Sequence, residues 1–376
     1  MAVPVSQIES NTSKPAIPWW RTSFGEEESN GLADAVANEH ISQGTVTAQF
    51  ESQIASALEV PYCVATTSGS TALLMALMAL GIGRDDEVIV PNRTWIATAH
   101  AALMLGAKVV MVDVQSDFPT MDVSQLRQKI TRRTKAILPV HLNGRAVDMD
   151  EIHAIAREYG LCVIEDAAQA LFAKNHNGFL GTQSDAGCFS LSIAKLISTG
   201  QGGIVATRSQ VTYDKLKLIR SHGVADVVEA TYTGMGFNFK FTDLQASFGL
   251  AQLSKVSSRI AQVLAVYDKY EKALDEFPFV RLLPVDYSKG EVPLYIEVLC
   301  DERQRLVEFL RERGIQTRPF YPDLHLAPHL KVTGNFPNSK VFSEQGLFLP
   351  CGPAQSFENI DRVIEALRHY RSTTNF

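Results

Sequence analysis

The sequence predicts an α/β fold, with a large domain on a mostly parallel, seven-stranded sheet and a smaller α/β domain at the C-terminus. Three observations lead to this prediction. From about residue 60 to residue 207, short apolar runs alternate with amphipathic stretches, which is typical of βαβ units. The pattern then changes to long helices with few breakers. A second, shorter set of strand and helix patterns follows these helices.

The large domain contains seven apolar runs of strand length. They are Tyr62–Ala65, Glu87–Val90, Lys108–Asp113, Ala136–His141, Leu161–Glu165, Ala186–Leu191 and Gly203–Ala206. Helical patterns lie between them, at Thr71–Leu80, Thr98–Leu105 and Met149–Tyr159. Because parallel sheets bind ligands at the carboxyl ends of their strands, we expect functional residues just after these runs.

The small domain follows a helical connector at Thr242–Phe277. Its predicted elements are a strand at Val292–Leu299, a helix at Arg303–Glu312, a strand at Gln316–Tyr321 and a helix at Asn359–Tyr370. The chain is therefore predicted to divide into an N-terminal extension (1–20), a large domain (21–255) and a small domain (256–376).

Composition and charge argue against several classes of protein. The chain has 376 residues, a net charge of -6 and 45% hydrophobic residues, and it has no basic tract. A nucleic acid polymer is therefore not an expected partner. The N-terminus lacks the apolar segment of a signal peptide, and the longest apolar run, Ala72–Gly83, is too short to cross a bilayer. No membrane association is predicted.

Cysteine usage indicates a reducing compartment. The five cysteines are odd in number, scattered, and outside any CxxC or Cys/His ligand spacing. Free thiols in a cytoplasmic protein without a metal site are the natural interpretation.

A Ser/Thr-rich turn, Thr66–Ala72, joins the first strand to an apolar helix and contains Gly69 and Ser70. Glycine lets the backbone approach a ligand, hydroxyls donate hydrogen bonds, and a helix N-terminus favours an anion. The turn is a candidate phosphate cradle, although a capped helix start explains it equally well. It matches neither GxxxxGK[ST] nor GxGxxG, which disfavours a dinucleotide-dependent dehydrogenase.

Three further residues stand at strand ends. Trp95 follows the second strand and can stack on a planar cofactor or belong to the core. Asp166 follows the strand Leu161–Glu165 and is either a ligand-binding acid or a helix N-cap. Lys195, between an apolar strand and a glycine-rich turn, is either a Schiff-base nucleophile or a surface lysine.

Phosphate cradle, aromatic, acid and lysine in this order indicate pyridoxal 5'-phosphate (PLP) as cofactor. PLP acts as an electron sink when an acid keeps its pyridine nitrogen protonated, and Asp166 is the best-placed acid for that role. The joint pattern is more specific than any of its parts.

The chain resembles the DegT/DnrJ/EryC1/StrS sugar aminotransferases, a family of fold-type I PLP enzymes in the aspartate aminotransferase superfamily. The resemblance extends from about Ile17 to the C-terminus. Its motifs are Ser68–Leu73, Val140–Gly144, Ile164–Gln169, Phe189-Ser190 with Lys195 and Gly202-Gly203, Gly236–Lys240, and Tyr321 with Leu324-His325. The resemblance implies the PLP-transferase fold and a PLP-dependent transaminase.

The resemblance also implies roles for individual residues around the PLP ring. Lys195 is implied to hold PLP as a Schiff base, and Asp166 to pair with the ring nitrogen. Gln169 is implied to lie near the phenolic oxygen, and Trp95 to stack on the ring face.

The phosphate of PLP is implied to be held by Gly69, Ser70 and Ser190. Asn238 is implied to reach the phosphate bound by the other subunit. A homodimer with shared active sites follows from that arrangement.

The substrate pocket is implied to include four residues from separate parts of the chain. They are Gly44, in the segment Ile41–Gly44, and His141, Tyr321 and His325. The stretch Thr317–Phe320 is similar to that of members which aminate 4-keto sugar nucleotides.

Five positions depart from or lie beside the usual family pattern. Leu196 replaces Asn, Gln201 replaces Glu, Asn143 replaces Tyr, Arg145 replaces Gln, and Arg93 precedes the aromatic loop. We expect all five in or near the mouth of the active site. These differences do not change the predicted cofactor, but they leave the identity of the substrate open.

The implied reaction is transamination from glutamate to a keto-sugar, with a nucleotide-linked 4-keto-6-deoxyhexose for surface polysaccharide or O-antigen as the expected acceptor. Another keto or aldehydo sugar is an alternative. A PLP-dependent sugar dehydratase is a further one, but the similar dehydratases have His where this chain has Lys195. A non-enzymatic regulator would need a DNA-binding domain, of which the sequence gives no sign.

Overall fold

The computed structural model describes residues 16–225 and 231–374. Most of the predicted N-terminal extension therefore lies outside the described residues. Its last residues, Ile17 and Trp20, form β-bridges with Ile315 and Cys351 of the C-terminal part of the chain.

Strands and helices alternate through the first half of the chain, as the sequence predicts. The strands are β1 (Tyr62–Thr66), β2 (Glu87–Pro91), β3 (Lys108–Val112), β4 (Thr134–Ile137), β5 (Cys162–Asp166), β6 (Lys174–Asn175), β7 (Gly178–Phe179), β8 (Ala186–Ser190), β9 (Gly203–Thr207), β10 (Arg281–Leu282), β11 (Ile296–Leu299), β12 (Arg318–Pro319) and β13 (Gly346–Leu349). The helices are α1 (Glu26–Ala37), α2 (Thr45–Ala57), α3 (Gly69–Ala79), α4 (Ala97–Met104), α5 (Leu126–Lys129), α6 (Met149–Tyr159), α7 (Gln210–Arg220), α8 (Asp243–Ser254), α9 (Val256–Leu274), α10 (Arg303–Glu312), α11 (Pro337–Gln345) and α12 (Phe357–Thr374).

The main sheet has seven strands in the order β1-β9-β8-β5-β4-β2-β3. Strand β9 is antiparallel to both of its neighbours, and the other pairings are parallel. This topology confirms the predicted mostly parallel sheet. Strands β1, β2, β5 and β8 run in one direction, so their carboxyl ends meet at one edge, where the polar motifs lie.

One strand of the main sheet is shorter than predicted. The ladder of β4 ends at Ile137, although the apolar run continues to His141. Pro139 has no N–H to donate to a ladder, and its carbonyl accepts instead from Asp166 N at 2.9 Å. The chain thus stays beside β5 without continuing the regular strand.

The smaller sheet has four antiparallel strands in the order β10-β11-β13-β12. Helices α10 and α12 accompany it, as predicted. Strand β13, which pairs with both β11 and β12, was not predicted. Its four residues are all buried, so they show no alternation of apolar and polar positions.

Helix α3 connects the core to the site. Most of its side chains are buried, and it packs on β8 and β9. Its first residue therefore faces the carboxyl end of β8. Among the helices that the structure describes, none combines the length and apolar character needed to cross a membrane.

Candidate active site

A cavity of about 350 Å³ opens at the carboxyl edge of the main sheet. The small domain closes one of its sides. Eight residues predicted to bind cofactor or substrate line it together: Gly69, Ser70, Trp95, Asp166, Gln169, Ser190, Lys195 and Tyr321.

Lys195 is an amine with an unusual environment. Its pKa is lowered from 10.5 to about 8, mainly because burial disfavours the ammonium form. This value includes an opposing effect of the Asp166 carboxylate, which raises the pKa, and a smaller lowering by the guanidinium of Arg318. A neutral amine is a nucleophile and a proton acceptor, so this environment prepares Lys195 for chemistry near neutral pH.

Asp166 is a buried carboxylate at the carboxyl end of β5. Its residue surface is 4% exposed. Thr98 Oγ1 donates a hydrogen bond to Asp166 Oδ2 at 2.7 Å, and the backbone N–H of Ala168 donates to Oδ1 at 3.1 Å. Burial raises its pKa, while these two hydrogen bonds oppose the rise. The carboxylate is held in place and lacks a full counter-charge, which favours a cationic ligand.

The N-terminus of α3 approaches β8 very closely. A Cβ on Gly69 would lie 2.9 Å from the Cβ of Ser190. Only glycine allows this approach, which brings the Ser190 side chain to the first turn of the helix. Ser68 caps the same turn by accepting from the backbone N–H of Thr71 at 3.1 Å. Backbone N–H groups, hydroxyls and the helix dipole together form a site for a small anion.

Aromatic rings form the outer wall of the cavity. Trp95 is half exposed, and its ring makes an edge contact with Tyr321 at a centroid distance of 5.1 Å. Across the cavity, Gln169 Oε1 accepts a hydrogen bond from the backbone N–H of Asn143 at 3.0 Å. This bond fixes the amide of Gln169 at the cavity surface.

The structure does not bring the other four predicted residues to this cavity. The His141 ring is buried behind it, with Nε2 at 2.9 Å from Glu165 Oε2. The backbone N–H of Gly44 donates to Asp243 Oδ1 at 2.8 Å. Two more residues lie elsewhere: the backbone N–H of His325 donates to Asn92 Oδ1 at 3.0 Å, and Asn238 is exposed on the surface.

The cavity also contains residues that the sequence did not single out. Arg318 begins the edge strand β12, and Tyr295 directly precedes β11. The hydroxyl of Tyr295 donates to the carbonyl of Ala194 at 2.9 Å and so supports the residue next to Lys195. Arg318 lies in Thr317–Phe320, the stretch that is similar to members which aminate 4-keto sugar nucleotides, and this similarity is the only sequence feature that could have indicated it. No sequence feature indicates Tyr295.

The unusual residues Asn143 and Arg145 were expected in or near the active-site mouth. Neither lines the cavity, although Asn143 hydrogen-bonds to Gln169 and Tyr295, which do. Both are buried where the main sheet meets the segment before β11. The side chain of Asn143 exchanges two hydrogen bonds with the backbone of Tyr295, at 2.6 and 3.0 Å. Arg145 pairs with Glu297, because a buried guanidinium needs a carboxylate partner. These residues join the domains.

Arg93 is also buried, with NH1 at 2.7 Å from Asp323 Oδ1. Its guanidinium lies over the ring of Phe320 at 5.1 Å, so it supports the chain around Tyr321. Leu196 is a core residue, and Gln201 lines the cavity.

Comparisons with known proteins match the chain to one family. The sequence model of the "DegT/DnrJ/EryC1/StrS aminotransferase family" matches residues 22–368. A GDP-perosamine synthase of Caulobacter vibrioides is 36% identical over 87% of this chain and 90% of its own length. A GDP-perosamine synthase of Escherichia coli O157:H7 is 32% identical over 95% and 99%.

A solved structure extends the agreement to three dimensions. The crystal structure of S. venezuelae DesV in complex with a ketimine intermediate superposes with a TM-score of 0.89. It shares 30% sequence identity and covers 95% of this chain and 99% of the DesV chain. The likeness therefore includes both the main sheet and the smaller sheet.

Proposed function

Because the chain belongs to the DegT/DnrJ/EryC1/StrS aminotransferase family, we propose that it transfers the amino group of L-glutamate to a nucleotide-linked 4-keto-6-deoxyhexose. It is a PLP-dependent transaminase of the sugar aminotransferase kind. One observation carries the proposal: an amine of lowered pKa, Lys195, shares a cavity with the buried carboxylate of Asp166 and an anion cradle.

The residues of the cavity fit PLP by charge and by shape. The cradle at Gly69, Ser70 and Ser190 matches a phosphate. The buried carboxylate of Asp166 matches a protonated pyridine nitrogen, whose positive charge offsets the cost of burial. Lys195 supplies the amine that binds the aldehyde carbon.

When bound, PLP supplies the electron sink for cleavage of the donor's Cα–H bond. We assign the proton transfer to the amine of Lys195. Because its pKa is about 8, part of the amine population is neutral near that pH and can accept a proton. Asp166 would hold the positive charge on the ring, and Gln169 would help to orient the cofactor. Trp95 would cover the cofactor and exclude water from it.

The net reaction balances without any other reactant. Glutamate loses its amino group and its α-hydrogen and becomes 2-oxoglutarate. Water supplies the new carbonyl oxygen of 2-oxoglutarate in this first half-reaction. In the second, the keto-sugar loses its carbonyl oxygen as water and gains the amino group and a hydrogen, so the water cancels in the net reaction. The two relatives named GDP-perosamine synthase support a nucleotide-linked sugar as the acceptor. The resemblance at Thr317–Phe320 favours a 4-keto group, and a role in surface polysaccharide or O-antigen synthesis belongs to the same proposal.

A homodimer with shared sites belongs to the same proposal. Asn238 is exposed beside three exposed apolar side chains, those of Tyr232, Met235 and Phe237. Such a patch is typical of a surface that another protein chain covers. In this arrangement Asn238 serves the site of the other subunit.

The cytoplasm is the proposed location. The side chains of Cys63, Cys162, Cys188, Cys300 and Cys351 are all free thiols, which a reducing compartment preserves.

Two measurements test the proposed activity. Purified protein should be yellow, and borohydride should fix the cofactor on the peptide that contains Lys195. A panel of keto-sugar nucleotides and free keto-sugars, with glutamate as donor, should then release 2-oxoglutarate with a nucleotide-linked 4-keto-6-deoxyhexose.

Two results would contradict the proposal. An adduct on another lysine would remove the assigned site. Loss of a sugar hydroxyl without 2-oxoglutarate release would identify a dehydratase instead.

A further inference from the structure

Arginines buried in this protein pair with carboxylates. Arg93 binds Asp323, with 2.7 Å between NH1 and Oδ1, and Arg145 binds Glu297. Arg220 pairs with Glu51 in the same way. Each pair follows from the cost of removing a guanidinium from water without a counter-charge.

Arg318 differs from these arginines because it is only partly buried and faces the cavity. Its guanidinium carbon lies 5.1 Å from the ring centroid of Trp19, 6.0 Å from that of Trp95 and 5.3 Å from that of Tyr321. Within residues 16–225 and 231–374, no carboxylate forms a salt bridge with it. Aromatic faces attract a cation, but they leave its N–H donors unused.

The position of Arg318 is fixed before any ligand arrives. The residue begins strand β12, where it is paired with Phe348 of β13. The rings around it restrict the side chain, which lines the same cavity as Lys195 and Ser190. A guanidinium held in this way presents a planar pair of donors that matches a carboxylate.

We propose that Arg318 binds the α-carboxylate of the amino donor. The inference rests on the proposed function, because it assumes that an amino acid and a keto-sugar use this cavity in turn. The donor's nitrogen has to take the place of the Lys195 amine, and its α-carboxylate is only two bonds from that nitrogen. Arg318 is close enough to Lys195 to influence its charge. In a nucleotide-linked 4-keto hexose, the sugar ring separates the reacting carbon C4 from the diphosphate on C1.

This assignment separates the two halves of the reaction. The donor has a carboxylate next to its reacting carbon, and the hexose of the acceptor has none. Arg318 should therefore favour reaction with glutamate and contribute little to reaction with the keto-sugar. A residue that only supports the fold would affect both halves equally.

The test measures each half-reaction by single-turnover absorbance changes of the holoenzyme. We expect Arg318→Gln to lower the apparent second-order rate constant for glutamate about 10- to 100-fold, the loss typical of a hydrogen-bonded charge pair. Enzyme preloaded with the aminated cofactor should react with the keto-sugar nucleotide within about 3-fold of wild type. The wild-type preference for glutamate over 4-aminobutyrate, which lacks the α-carboxylate, should shrink in the variant.

Two control variants and a binding measurement complete the design. Arg318→Lys keeps the charge without the planar pair of donors and should give an intermediate loss. Arg368→Gln changes an exposed arginine that pairs with Glu276 and should leave both half-reactions unchanged. Calorimetry with glutarate, an unreactive dicarboxylate, should show weaker binding to Arg318→Gln than to wild type.

The outcomes separate this inference from the proposed function. Unchanged reaction with glutamate and unchanged glutarate binding would overturn the inference. An equal loss in both half-reactions would also overturn the inference, because it would indicate that Arg318 only supports the fold. A loss confined to reaction with the keto-sugar would overturn it too, and would indicate that Arg318 binds the diphosphate of the acceptor. If wild-type holoenzyme did not react with glutamate at all, the proposed function would fail. Glutarate binding would still decide whether Arg318 binds a carboxylate.

Discussion

The two walls of the cavity are built in different ways. On the large-domain wall, the acid and the anion cradle come from strand ends and a helix start, and they are already hydrogen-bonded, as Asp166 is to Thr98 and Ala168. On the wall beside the smaller sheet, Arg318 lies among aromatic rings, and no carboxylate of the described residues forms a salt bridge with it. One wall is preorganised by hydrogen bonds within the chain. The other presents a guanidinium that is available to a ligand.

The largest expected effect is at the amine between the two walls. Lys195→Ala removes the group assigned to both cofactor attachment and proton transfer, so we expect about a 10⁴-fold loss of turnover or more. The rate of 2-oxoglutarate release measures it. The variant should remain folded by circular dichroism. Retention of a tenth of the activity would mean that another group moves the proton.

A substitution within the large-domain wall should be the next most damaging. Asp166→Asn removes the charge that keeps the pyridine nitrogen protonated, so we expect roughly a 10³-fold loss of transamination with some PLP retained. Thr98→Val is the matched control, because it removes only one hydrogen bond to the same carboxylate. It should cost about 10-fold. Near wild-type rates for the Asn variant would identify Asp166 as a cap.

The same contrast explains what could be predicted from the sequence. The strands around Gly69, Trp95, Asp166 and Lys195 are apolar runs followed directly by polar residues, so local patterns indicate both the sheet and its functional edge. Gly69, Ser70, Trp95, Asp166 and Lys195 follow from those patterns and line the cavity. Gln169, Ser190 and Tyr321 also line it, but they were predicted from the family resemblance alone.

The rest depends on pairings between distant residues. Arg145 meets Glu297 across 152 positions of sequence, and no local pattern shows that this arginine is paired while Arg318 is not. Gly44 and Asn238 have no function visible within one chain. Strand β13 is fully buried and has no periodicity of its own.

The buried salt bridge between Arg145 and Glu297 gives a prediction about stability. Arg145→Met leaves Glu297 buried without a counter-charge, so we expect the free energy of unfolding to fall by about 3 kcal/mol. Denaturant titration measures it. Replacing both residues, with Arg145→Met and Glu297→Leu, should recover most of the loss, since two apolar groups need no pairing. If the double variant were no more stable than the single one, the pair would not account for the loss.

Asn238 tests whether the large-domain wall is completed by another subunit. Asn238→Ala should weaken PLP binding roughly 10-fold by removing one hydrogen bond to a charged phosphate. At limiting PLP, mixing it with Lys195→Ala under subunit exchange should restore activity, because one site of each heterodimer then has both residues intact.

The control for that experiment mixes Lys195→Ala with Asp166→Asn, two residues that line one chain's cavity. No site of such a heterodimer is complete, so activity should not return. A strictly monomeric wild type in sedimentation, or a fully active Asn238→Ala, would contradict a shared site.

The smallest expected effect is a shift in the pKa of Lys195, on which the two walls act in opposite directions. In apo-protein, reaction of Lys195 with an amine-directed reagent should rise with pH around a midpoint near the pKa of about 8, because only the neutral amine reacts. Asp166 favours the ammonium form, so Asp166→Asn should move this midpoint to lower pH. Arg318 disfavours the ammonium form, so Arg318→Gln should move it to higher pH. The exposed control Arg368→Gln should leave the midpoint unchanged. If Asp166→Asn and Arg318→Gln moved the midpoint in the same direction, the two walls would not have opposite effects on the charge of Lys195.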